Sequence, residues 1–342
     1  MTNRIRIFAA ALAMLFASGA AIAAKKEAPP HKTKYILATA TTGGTYYPVG
    51  VALGALTKVK VDPQHGVSLS AISSAGSGEN IKLLRENSAQ FAILQGLWGA
   101  WAKAGEGPLA REGPQKELRS VTMLWENVEH FVIRADESKT GTIADMANLK
   151  GRKFSIGRRN SGTEGSGRHI LTALGFNPDA DFKLVYQGYG PSADALQNGT
   201  IEGMNVPAGP PVSAVTRAFA AAGQDLTILS FTLDQLAQVN KKYPLWSVYT
   251  LKRGTYPGQK GPIRTIAQPN FLAVRADVPE EHAYLITKAI FENLGFLSNI
   301  HPATKEMSLK TALTGLPLPL HPGARRYFEE AGVRIPDNLK EE

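Results

Sequence analysis

The chain has 342 residues, with 38 Lys and Arg against 29 Asp and Glu and no cysteine. Disulfides, thiolate metal sites and cysteine nucleophiles are therefore excluded. The net charge of +9 is scattered, with no basic stripe interleaved with aromatics, which argues against nucleic-acid binding.

Residues 1–23 have the pattern of an export signal. Arg4 and Arg6 form a positive start, Ile7–Ala17 is an apolar run too short to span a bilayer, and Ala21-Ile22-Ala23 supplies the small-x-small cleavage pattern. Residues 24–33 then form a polar, proline-bearing leader. No later segment has the length and apolarity of a membrane helix, so the expectation is a protein exported to the periplasm.

Strands and helices alternate from there. Tyr35–Ala38 predicts a strand, Val49–Lys58 a helix, Val67–Ser73 a strand, and Glu79–Glu86 a helix capped by Ser77. Phe91–Leu94 predicts a buried strand, Leu97–Ala104 a helix and Arg119–Leu124 a strand. A second unit opens at His130-Phe-Val-Ile-Arg134, with a short helix at Thr142–Ala147 and a strand ending at Ile156. Gly162–Leu174 is helical up to Gly175. Strand, helix, strand, helix and strand follow at Phe182–Tyr186, Ser192–Gln197, Ile201–Val206, Pro210–Ala222 and Leu226–Leu229. Pro and Gly punctuate 243–270, after which Phe271–Val274 predicts a strand and Glu280–Ile300 one long helix. From Pro302 the chain is helical, interrupted by Leu316-Pro-Leu-Pro-Leu320.

The pattern implies an α/β fold of two lobes, each a mainly parallel sheet flanked by helices, with a ligand cleft between them at the carboxyl ends of the strands. The expected boundaries are 34–129 plus 265–342 for the first lobe and 130–264 for the second.

Three small-polar turns fall where a strand ends and a helix begins. They are Thr41–Tyr47, Ser73–Asn80 and Asn160–Gly167. Each offers hydroxyls and backbone N–H groups at a helix start, which suits a small anion held by neutral donors; helix caps use the same residue types. Gln95 ends a buried strand, facing either a cleft or a strand-end partner. Arg158 and Arg159 precede the third turn and are either a bidentate partner for a carboxylate or a solvated surface pair. Tyr46, Tyr47, Tyr186 and Tyr189 either wall the cleft or pack the lobes.

Enzyme patterns are weak. The seven histidines show no zinc-binding spacing, Gly165-Ser-Gly167 is not a nucleophile elbow, and His130 fits a structural role. Neither a metal nor a cofactor is expected.

Taken in order, the motifs resemble a known family. They are Thr42-Gly-Gly-Thr-Tyr-Tyr-Pro-Val-Gly50, Gly78-Glu-Asn-Ile-Lys-Leu-Leu84, Ala92-Ile-Leu-Gln95, Asp145–Gly151 with Ser161-Gly-Thr163, and Ala193–Glu202. Gly254–Gln259, Phe291–Leu294 and Gly315–Ala324 continue the match. This set resembles the TAXI family of solute-binding proteins from tripartite ATP-independent periplasmic (TRAP) transporters, over about Tyr35 to Gly332. The resemblance implies a type II periplasmic-binding fold, a membrane permease as partner, and a small carboxylate such as glutamate, glutamine or 2-oxoglutarate as ligand. The family's binding positions carry over to Gly44, Thr45 and Tyr46, to the Ser74–Ser77 turn with Gly76, to Gln95, and to Ser161–Thr163 with Gly162. Departures from the family pattern are Gly157-Arg-Arg-Asn-Ser-Gly-Thr163, Gly203–Pro211 and Leu124-Trp-Glu-Asn127. The two added arginines favour a more anionic or longer ligand, such as a dicarboxylate.

The expected function is a monomeric periplasmic receptor that captures a small organic anion for a TRAP permease and makes or breaks no bond. The alternatives are a receptor for a sensor kinase or an ATP-driven importer, and an exported hydrolase or transferase using Glu79 or Glu164 as base.

Overall fold

The computed structural model describes residues 32–340, and the expected export signal and most of the leader lie outside them. Thr33, the last residue assigned to the leader, already pairs with Val67 in the first sheet. The chain begins with β1 (Thr33–Ala38), α1 (Tyr46–Lys60), α2 (Asp62–His65), β2 (Val67–Ile72), α3 (Ser77–Arg85), β3 (Phe91–Gln95) and α4 (Gly96–Ala104). β4 (Leu118–Val128) and β5 (Phe131–Arg134) lead into a second unit. That unit contains β6 (Lys153–Ser155), α5 (Gly162–Ala173), α6 (Pro178–Asp181), β7 (Lys183–Val185), α7 (Tyr189–Gln197), β8 (Gly203–Asn205), α8 (Ser213–Ala222), β9 (Leu226–Ile228) and α9 (Leu233–Asn240). β10 (Ser247–Leu251) and β11 (Ile263–Arg275) bring the chain back, followed by α10 (Glu280–Glu292), α11 (Leu294–Ile300) and α12 (Pro322–Glu330).

Two sheets result. The first has the order β10-β11-β3-β1-β2 with β4 on β11, and the second β7-β6-β8-β5-β9. β1 runs parallel to β2 and β3, and β6 parallel to β7 and β8. β11 is antiparallel to β3, β4 and β10, and β5 is antiparallel to β8 and β9. Both sheets are therefore mixed, where mainly parallel sheets were expected. A strand arriving from the other lobe enters its sheet from the opposite end to the strands that helical crossovers return, so it pairs antiparallel.

Several element bounds differ from expectation. α1 starts at Tyr46, because Pro48 lies in the first turn, where no N–H is missed. β4 continues through Trp125-Glu-Asn-Val128, since β11 supplies a partner along its whole length. The long C-terminal helix breaks at Asn293, which leaves the helical region at φ −132°. Ile143–Leu149 is a 3-10 helix and α8 begins only at Ser213. Beyond Pro302, α12 is flanked by irregular chain and 3-10 turns rather than continuous helix.

Burial follows the apolar runs. One cluster spreads from Leu37, Leu53, Phe91 and Phe271 through Trp98 and Trp101 to Phe131 and Phe154 on the second sheet and Ile170 on α5. A second cluster joins Val132, Met204, Val215 and Phe219 to Leu251 and Tyr256. Burial of such side chains contributes roughly 1.5–3 kcal/mol each relative to exposure and fixes how the sheets are held.

Candidate functional site

The parallel strands of the two sheets end facing one another. β1, β2 and β3 deliver Thr39–Thr45, Ser73–Gly76 and Gln95, while β6, β7 and β8 deliver Ile156–Ser161, Tyr186–Gly188 and Val206–Gly209. The first turns of α1, α3 and α5 therefore border the same space. Their free N–H groups and dipoles give it a positive potential.

A cavity of about 30 Å³, counted as the space open to the centre of a water-sized sphere, lies between these turns. That is about twice the minimum that holds one water, so in this closed form it admits only a small ligand. It is lined by Gly44, Thr45, Tyr46, Gly76, Ser77, Gln95, Arg158, Ser161, Gly162 and Thr163, all expected from sequence. Ala40, Thr41, Ala75, Gly188, Tyr189, Pro207 and Ala208 complete the wall. No carboxylate is among the lining residues.

Two expected residues stand outside it. Ser74 is buried, and its Oγ donates to the Thr39 carbonyl or to Asn80 Oδ1 and accepts from the Gly76 N–H, so it braces the turn. Arg159 is turned away and stacks over the Tyr186 ring at 3.7 Å. Arg158 does line the cavity; it reaches across to the Ser74 carbonyl at 3.4 Å, and no carboxylate pairs with it among the described residues.

The lining side chains are held in place by their own bonds. Gly76 caps α3 at φ 121°, a conformation open to glycine, and Ser77 is the first helical residue rather than the expected cap. Ser77 Oγ accepts from the Gln95 N–H at 3.1 Å. Gln95 is 2% exposed, and its Oε1 has no hydrogen-bond partner. Ser161 caps α5 by accepting from the Glu164 N–H at 3.0 Å. Tyr46 OH donates to Asn270 Oδ1, and burial raises its pKa well above the usual value. Tyr189 OH donates to the Pro207 carbonyl at 2.7 Å and shares a 2.7 Å bond with Thr163 Oγ1; burial raises its pKa too. Both phenols stay neutral donors and acceptors.

The lobes are closed over this space. On one side the Glu79 N–H donates to the Asn160 carbonyl at 3.0 Å. On the other, Thr45 Oγ1 donates to the Gly209 carbonyl at 2.8 Å and Ser213 Oγ to the Gly43 carbonyl at 2.9 Å.

Glu79 and Glu164, the candidate bases, are not among the lining residues: Glu79 accepts from the Ala75 N–H at 2.5 Å, and Glu164 from the Asn160 N–H at 2.7 Å and from Arg168. His130 is buried between the Val128 and Val206 carbonyls and Tyr256 OH, and burial depresses its pKa to about 4. Pro207 and Ala208 fall in Gly203–Pro211, one of the segments that depart from the family pattern, while Gly188 was not singled out from sequence; the glycine-bracketed Gly188-Tyr-Gly190 after β7 is its local signal.

Two lobes joined by crossing strands, with a polar cavity at the carboxyl ends of both sets of parallel strands, define the type II periplasmic-binding-protein fold. The chain belongs to the NMT1-like family, whose model matches residues 37–332. Among solved structures, it is similar to MatC from Rhodopseudomonas palustris with bound malate, at 13% identity and a TM-score of 0.53 over 88% of this chain and 98% of that one. A protein from Bordetella bronchiseptica RB50 gives 15% identity and a TM-score of 0.52 over 90% and 91%. The periplasmic aliphatic sulphonate binding protein SsuA from Escherichia coli gives 14% and 0.47 over 87% and 79%.

Proposed function

We propose that this chain is a periplasmic receptor that closes its two lobes around a small organic anion and presents it to a membrane transporter. One observation carries the reading: three helix N-termini and Arg158 converge on a closed cavity whose lining includes no carboxylate. Such a site favours negative charge and disfavours cations. Arg158 at the cavity's edge suits a second anionic group. The bound malate of MatC is consistent with a dicarboxylate on this fold. No bond chemistry is assigned, since neither candidate base is among the lining residues and each carboxylate is held by a backbone N–H.

For the membrane partner, the resemblance of the motifs along the chain to the TAXI family supports a TRAP permease. An ATP-driven importer is the second reading, as the fold alone serves both. No helix among the described residues is long and apolar enough to cross a membrane, so delivery requires a separate membrane component on either reading.

A thermal-shift screen over dicarboxylates, keto acids and amino acids tests the receptor. A ligand at a hundredfold its Kd stabilises the protein by about 2.7 kcal/mol. A flat response across all carboxylates would sink the anion reading.

A further inference from the structure

Behind the cavity wall lies a carboxyl group that pairs with no cation among the described residues. Glu129 is fully buried where the chain passes from β4 to β5. Its N–H donates to the Ile266 carbonyl at 2.9 Å, and its carbonyl accepts from Thr265 Oγ1 at 2.8 Å. Its neighbour Val128 exchanges two backbone hydrogen bonds with Ala208, a residue of the cavity wall. Glu129 is thus one residue removed from that wall, and its charge acts on Tyr46 and Tyr189, which both line the cavity.

The groups around it are neutral. Asn205 Nδ2 donates to Oε2 at 3.0 Å, while Oε1 has no partner at hydrogen-bond distance. Ser166, Trp246 and Gln268 act on the carboxyl more weakly than Asn205, and all four favour its ionised form, against the larger effect of burial. Charged groups on the same elements are engaged elsewhere. On α5, Glu164 pairs with Arg168 and Arg168 with Asp179, and His169 stacks on Trp246 and bonds the Val239 carbonyl, with burial lowering its pKa; on β11, Arg264 turns to the Phe231 carbonyl. On β4, Glu126 faces Glu306, and the adjoining His130 is held neutral by burial. β8 contributes only Asn205, and α1 and α7 contribute the two neutral phenols. Burial is the largest influence on Glu129, raising its pKa to about 7.

We propose that anion binding in the cavity is coupled to protonation of Glu129, so that the loaded receptor takes up a proton with its ligand. This rests on the anion-receptor reading. A second negative charge brought into the same low-dielectric region disfavours the ionised carboxyl, and a proton from solvent relieves the repulsion. Protonation also fits the local bonding: Oε1 gains a hydrogen to donate, and Asn205 Oδ1, on the amide that already holds Oε2, has no donor. No bond in the ligand changes.

The test is isothermal titration calorimetry on the full chain with L-malate, succinate, 2-oxoglutarate and L-glutamate at pH 7, 8 and 9, in buffers of different ionisation enthalpy. The expected result is net proton uptake of up to one per ligand, with affinity falling up to tenfold per pH unit above the free-state pKa. Glu129→Gln, which keeps the shape and removes the charge, should bind with no uptake and with affinity constant within twofold. Wild-type binding without uptake and with constant affinity would overturn the proposal alone. So would uptake in Glu129→Gln equal to wild type. Should that variant not fold, the buffer dependence of the wild type decides by itself. Binding of none of the four acids at any pH would overturn the anion-receptor reading and this coupling with it.

Discussion

Gly162 and Gln95 meet across the cleft so closely that a Cβ on Gly162 would stand 2.8 Å from the Gln95 amide carbon and 2.9 Å from its oxygen. The same Cβ would stand 2.9 Å from Ser77 Oγ. All three contacts belong to the opposite lobe, so this glycine matters for closure rather than for the folding of its own helix. Gly162→Ala should keep or slightly raise thermal stability, since alanine favours a helix start by up to about 1 kcal/mol. Ligand affinity should fall at least tenfold, and small-angle scattering with ligand should show a larger radius of gyration than wild type. Unchanged affinity would mean that the closed contact does not form in the loaded state.

The two arginines of the third turn separate in the structure, so their variants should separate too. Arg158 lines the cavity, while Arg159 lies over Tyr186. Arg158→Ala should lower affinity for a dicarboxylate by roughly 1.5–3 kcal/mol, the range for a hydrogen bond to a charged group, and affect a monocarboxylate much less. Arg159→Ala should leave affinity within twofold and cost about 0.5–1 kcal/mol of stability through the lost ring contact. Titrations of both variants with succinate and butyrate check the contrast.

How much of this was legible follows from where each signal lies. The three turns are local, since strand, small residues and helix start follow one another in sequence, and ten of the twelve expected residues line one cavity. Arg159 was not separable from Arg158, because one residue of chain reverses the side-chain direction. Pro207 and Ala208 reach the wall only because Ala208 pairs with Val128, 80 positions earlier in the chain. β10 was hidden by its exposed Ser247, Val248 and Thr250, which carry no apolar pattern until β11 pairs with them. Glu129 did leave a trace: a carboxylate and a histidine inside the apolar run Val128-Glu-His-Phe-Val-Ile133.

Tyr189 ties the second lobe's wall together through one hydroxyl, which bonds both Thr163 and the Pro207 carbonyl. Tyr189→Phe keeps the ring that faces Gly44 and leaves the Pro207 carbonyl without its donor. A buried acceptor left unpaired costs about 1–3 kcal/mol. The expected outcome is a loss of that size, shared between folding stability and ligand affinity. Chemical denaturation with and without saturating ligand resolves the two. A variant matching wild type in both would remove Tyr189 from the wall's support.

The neighbours Glu129 and His130 should oppose one another in the pH dependence of stability. Burial raises the Glu129 pKa from 4.5 to about 7, so between those values the folded chain binds a proton that the unfolded chain has released. Its contribution is full below pH 4.5 and is lost as pH rises through about 7. Burial lowers the His130 pKa from 6.5 to about 4, so its contribution is full above pH 6.5 and is lost as pH falls through about 4. Each amounts to at most roughly 3 kcal/mol, and between pH 4.5 and 6.5 the two slopes have opposite sign. In Glu129→Gln only the histidine slope remains, so stability relative to wild type should fall as pH drops across this window. In His130→Gln only the carboxyl slope remains, and the relative stability should rise as pH drops. Urea melts of the three proteins at pH 5, 5.5, 6 and 6.5 measure the differences directly. Parallel profiles for wild type and both variants would show that neither group titrates apart from its value in the unfolded chain.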